Sequence, residues 1–105
     1  MPYNQGVNGT QAMSTITSLA IPEQFGTFEL MPHFIPGARR GRIKLPNGWE
    51  VSAITAPMGS GIHGHIESRT FEVAFFNPSG VMYDDVLRHR TEEQMAEILL
   101  RVAAF

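Results

Sequence analysis

The run Arg42-Ile-Lys-Leu-Pro-Asn-Gly-Trp-Glu-Val-Ser52 decides the fold. Two alternating apolar and polar stretches flank Pro46-Asn47-Gly48, which is turn chemistry, so the segment reads as a β-hairpin. Its register follows from the two-residue period of a strand. A two-residue Asn-Gly loop sets Leu45 against Glu50 and Ile43 against Ser52, mixing apolar and polar residues on each face. A three-residue loop, with Pro46 and Asn47 in a type I turn and Gly48 left-handed, pairs Leu45 with Trp49, Ile43 with Val51 and Lys44 with Glu50. One face is then wholly apolar, the other carries a charge pair, and the apolar face needs a cover.

That cover is found at the C-terminus. Thr91-Glu92-Glu93-Gln94 has the spacing of a capping box, with carboxylates in the first turn where the helix dipole favours them. Met95, Ile98, Leu99 and Val102 follow at i, i+3, i+4 and i+7, a single apolar stripe. Between hairpin and helix, residues 70–77 place Phe71, Val73 and Phe75 on one face and Ala74 with Phe76 on the other, which suggests a central strand covered on both sides. Asn77-Pro78-Ser79-Gly80 is a turn, and Val81-Met82-Tyr83 returns as the next strand with Phe75 facing Tyr83. Upstream, Phe28, Leu30 and Phe34 alternate with Glu29 and His33, predicting a strand over about residues 26–32 that Pro32 confines to an edge. Strands followed by one helix imply an α+β domain, a mainly antiparallel sheet of four to five strands with one C-terminal helix packed on it.

With 105 residues there is room for one core, and 43% apolar against 17% charged residues is the balance of a folded chain. Residues 26–105 form the single domain expected. Residues 1–25 read as a partly flexible N-terminal arm, because 1–13 offer only Tyr3, Val7 and Met13 as anchors. Met13-Ser14-Thr15 has the look of a translation start, which makes the first twelve residues an extension. A net charge of −2 gives no global field to draw the protein to nucleic acid or anionic lipid. The chain has no cysteine, so disulfides, thiolate zinc sites and cysteine nucleophiles are excluded together. No apolar run approaches the roughly 20 residues of a membrane helix, and the cytoplasm is the expected compartment.

The long connection 57–68 is the first place to look for function, since a short turn would have joined the flanking hairpins. On an extended backbone His63, His65 and Glu67 point to one side and could face a metal such as zinc; the competing reading is a solvated, glycine-loosened loop. Gly59-Ser-Gly-Ile-His-Gly64 matches the dinucleotide fingerprint, but a strand follows it instead of a helix and no βαβ unit is present. Ser60 as a nucleophile lacks the strand-to-helix elbow it needs. Arg39, Arg40, Arg42 and Lys44 form a basic cluster, and the hairpin register puts Arg40, Arg42 and Lys44 on the outward face. The cluster is a candidate partner-binding surface, or a path for a nucleic-acid backbone through Arg39, Arg40 and Arg42, against the plainer reading of a solvated outer face. Asp84-Asp85 and Arg88-His89-Arg90 read as charges that fix the loop before the helix. Ala74, Phe76 and Met82 need a cover of their own, supplied by Ile16, Leu19 and Ile21 or by a second copy in a homodimer.

From Leu45 to the end, Leu-Pro-Asn-Gly-Trp-Glu-Val-Ser-Ala-Ile, Thr-Phe-Glu-Val-Ala-Phe, Asp-Asp-Val-Leu and Thr-Glu-Glu-Gln-Met with Ile-Leu-Leu-Arg-Val-Ala resemble small accessory proteins of tailed bacteriophages. The resemblance covers about 60 residues. It implies expression in a bacterial host cytoplasm and binding to a host or phage component. No complete catalytic set is visible, so the expected function is that of a non-enzymatic binding protein with a protein partner. The alternative is a metal- or small-ligand-binding protein using loop 57–68, with zinc as the expected metal.

Overall fold

A computed structural model describes residues 16–105. The arm expected over 1–25 lies outside the described residues as far as Thr15, and from Ile16 onward the chain belongs to the fold. Strands β1 (Ser18–Leu19) and β2 (Phe28–Glu29) form a small antiparallel pair, with one 3-10 turn at Glu23–Phe25 between them. Strands β3 (Met31–Pro32), β4 (Arg39–Lys44), β5 (Glu50–Thr55), β6 (Phe71–Phe76) and β7 (Met82–Arg90) make an antiparallel sheet in sequence order, and helix α1 (Glu92–Ala103) ends the chain. The α+β arrangement read from the pattern is the observed one.

The first hairpin has the deduced register: Ile43 pairs with Val51 and Lys44 with Glu50, and the Leu45 N–H donates to the Trp49 carbonyl over 2.7 Å. Gly48 sits at φ 89°, a conformation that costs a residue without Cβ little. Asn47 explains why the loop is worth its third residue. Its Oδ1 accepts the Trp49 N–H at 3.2 Å while its Nδ2 donates to the Val102 carbonyl at 2.9 Å, so the turn is tied to the last turn of α1, where that carbonyl also accepts the Phe105 N–H at 3.1 Å. The expected charge pair is relocated, because the ion pair on the outer face joins Glu50 to Arg42 at 3.8 Å rather than to Lys44.

Three expectations change. The centre of the sheet is β5, and β6 lies between it and the edge strand β7. The segment 26–32 forms two strands separated by Leu30; Phe28 and Leu30 are buried, but Phe34 is 82% exposed and stacks on His33. The strand expected at 81–83 continues to Arg90, with Phe75 opposite Tyr83 as deduced. Its register shifts twice against β6, and Asp84 (φ 63°) and His89 (φ 55°) take left-handed backbone. Such bulges scramble the period of two, and with the charges of Asp84, Asp85 and Arg88 they blunt an exposed edge.

One core gathers Ile16, Leu19, Phe28 and Leu30 with Val51, Ala53, Phe71 and Val73 of the sheet and all four residues of the helical stripe. Each helical side chain so buried contributes about 1.5–3 kcal/mol. The N-terminal segment therefore shares the helix's side of the sheet, with Phe28 packed over Gly41. It does not cover Ala74, Phe76 and Met82, which removes the first of the two expected covers, Ile16 with Leu19 and Ile21, because β1 is tied to the helix start: Glu92 Oε2 accepts the Ala20 N–H at 3.0 Å and its Oε1 pairs with Arg69 at 3.0 Å.

The capping box is complete, with Thr91 Oγ1 accepting the Gln94 N–H at 3.2 Å and Gln94 Oε1 accepting the Thr91 N–H at 2.9 Å. Thr91→Ala is expected to lower stability by about 1 kcal/mol, read as a shift of the urea midpoint at constant slope. Thr91→Ser should restore most of it, and an unmoved midpoint for the alanine variant contradicts the cap.

Candidate functional site

Two surfaces collect the chemistry. The first is the face of the sheet turned away from α1. Alternation along β4 buries Gly41 and Ile43 and exposes Arg40, Arg42 and Lys44, while β5 and β6 add Glu50, Ser52, Ile54, Glu72, Ala74 and Phe76, all half-buried. The pairing sets Arg42 beside Ser52 and Ser52 beside Ala74, and Met82 of β7, 46% exposed, lies next to Phe76. The Arg42 guanidinium stands 4.7 Å over the Phe76 ring. Among the described residues Arg40 and Lys44 have no carboxylate partner. Arg39 belongs elsewhere: its guanidinium turns back to donate to the Leu30 carbonyl at 2.7 Å, so it anchors the β2–β3 junction and is not offered to a partner with the other three. Along the rim of this face runs a cleft of about 490 Å³ bordered by Glu29, Met31, His33, Arg40 and Arg42.

The second surface is the loop between β5 and β6, which is curled rather than extended. A parallel bridge joins Ala56 to His65, with the Ala56 N–H donating to the Gly64 carbonyl (3.1 Å) and the Ile66 N–H to the Ala56 carbonyl (3.0 Å). Glu67 is used inside the loop, where its carboxylate accepts the Met58 N–H at 3.1 Å, and it does not complete a set with His63 and His65. Among the described residues no three His, Asp or Glu side chains stand converged as a metal centre. The two histidines meet a different partner. The ring of His89, on the second bulge of β7, lies 4.9 Å from that of His65 and 6.2 Å from that of His63, centroid to centroid.

This meeting is enforced by the backbone. The His89 N–H donates to the His63 carbonyl at 2.8 Å, the His63 N–H to Glu72 Oε1 at 2.8 Å and the His65 N–H to Thr70 Oγ1 at 3.0 Å. Gly64, between the two histidines, lies flat on β6: a Cβ there would come within 2.5 Å of the Glu72 nitrogen and 2.6 Å of Phe71 Cα. Reading the sequence put His89 with its arginine neighbours as a loop-fixing charge. Its role was invisible because it depends on a strand continuing through Asp84-Asp85 and on a bulge that no local motif announces.

The chain matches no protein family, no curated protein and no solved structure, so the chemistry of these two surfaces carries the functional reading.

Proposed function

We propose that the protein is a small non-enzymatic binding protein that docks an acidic protein partner, a host or phage component met in the bacterial cytoplasm, on the open face of its sheet. The observation that carries this is the row Arg40, Arg42 and Lys44 beside the half-buried Ile54, Ala74 and Phe76, with two of the three cations lacking a carboxylate partner among the described residues. A mixed basic and apolar surface suits a partner with carboxylates around an apolar centre, since charge sets orientation and burial supplies affinity. The cleft beside Arg40 and Arg42 gives a partner side chain somewhere to enter.

Nucleic acid fits less well. A strand-binding platform leaves aromatic rings free for bases, whereas Phe76 lies under Arg42. No helix among the described residues is long and apolar enough to cross a membrane.

Arg40→Ala with Arg42→Ala should leave the fold intact, each exposed change falling within about 0.5 kcal/mol, and a large drop in melting temperature contradicts their outward placement. The charge reversal Arg40→Glu with Arg42→Glu tests the function. In nuclease-treated host lysate a protein retained by the wild-type chain should be lost with the reversed one. Identical retained proteins for both, or retention of nucleic acid alone, overturns the reading.

A further inference from the structure

We propose that His63, His65 and His89 bind one divalent transition-metal ion, zinc being the natural fit. Neutral imidazoles suit zinc, copper and nickel, and three protein ligands with a fourth position left to water is a common zinc arrangement. Zinc–nitrogen bonds of about 2.0–2.1 Å hold two imidazole centroids about 5 Å apart at a tetrahedral angle. The rings of His65 and His63 stand at 4.9 and 6.2 Å from that of His89, so the first pair is already at that separation and the second is wider. The side chains as they stand do not converge, and rotation of the rings is what a metal must supply. His63 and His89 are exposed, so nothing packed around them opposes that rotation. The backbone is the prepared part: the bonds from His89 to His63 and from His63 to Glu72 fix the loop on β7 and β6 before any metal arrives.

The site borders the open face through Glu72 but uses none of its cations, and it replaces Glu67, which the loop uses to hold Met58. A bound ion joins the β5–β6 loop to the edge strand and therefore stabilises the folded chain.

The test is calorimetric titration of the chelator-stripped full chain with zinc chloride, together with ring-nitrogen NMR. One zinc per chain is expected, with shifts in His63, His65 and His89 but not in His33, and a higher melting temperature with the metal. His89→Asn is the diagnostic variant, because asparagine tolerates the left-handed backbone at this position and removes the ligand. It and His65→Ala should each weaken binding by about tenfold or more, whereas Glu67→Gln should stay within about twofold. Circular dichroism of the metal-free variants separates loss of a ligand from loss of the fold. Absence of saturable binding up to zinc concentrations on the order of 100 µM, one zinc shared by two chains, or wild-type affinity in a folded His89→Asn variant overturns the proposal.

Discussion

Replacing Phe71 by alanine is expected to remove about 3–5 kcal/mol of folding free energy, the range for deleting a fully buried phenylalanine. The side chain has no exposed surface, begins β6 and packs in the core shared by the sheet, helix and N-terminal segment. Domains of this size are stable by about 5–15 kcal/mol, so the variant should be partly unfolded at modest denaturant. Phe76→Ala is the internal comparison. It is on the same strand but on the open face, half-buried, and should cost much less. Equal losses for the two, measured by equilibrium urea unfolding, contradict the assignment of one face to the core and the other to solvent.

Gly64→Ala is the second large effect. The added methyl has no room against the backbone of Phe71 and Glu72, so either the loop lifts from β6 or the strand shifts. Overpacking of this kind costs about 1–3 kcal/mol, and here the clash is with main chain, which yields less readily than a side chain. Lifting the loop carries His63 and His65 away from His89. The variant should therefore lose thermal stability and zinc affinity together, while His89→Asn loses zinc affinity with little change in the metal-free fold. A Gly64→Ala protein as stable as the parent shows that the loop does not lie on β6 as described.

How much of this was legible in the sequence depends on how local each signal is. The Pro46-Asn47-Gly48 turn, the register of Leu45 with Trp49 and the Thr91 to Gln94 cap are set within a few residues, and all three are found as read. The arms of the sheet that depend on distant partners were harder. Residues 16–19 looked like part of an arm because two short apolar positions carry little periodicity, yet Ile16 and Leu19 are buried where Glu92 and Phe28 hold them. The full length of β7 was hidden by its bulges, which break alternation at Asp84 and His89. The same holds for the surfaces. Arg40, Arg42 and Lys44 were placed on the outer face by alternation, whereas the inward turn of Arg39 depends on the Leu30 carbonyl, a contact across two strands. His63 and His65 were singled out by composition and spacing, but their neighbour His89 arrives through tertiary pairing.

Photo-crosslinking in the bacterial host reads out whether the open sheet face receives a protein partner. Ser52 lies on that face between Arg42 and Ala74, and Glu93 is exposed on α1 on the opposite side of the molecule. With benzoylphenylalanine at position 52, irradiation should join the chain to a different protein, and the adduct should vanish when Arg40→Glu and Arg42→Glu are added; position 93 should give none. An adduct from position 93 and not from 52, or an adduct at 52 consisting only of a second copy of the chain, contradicts the account.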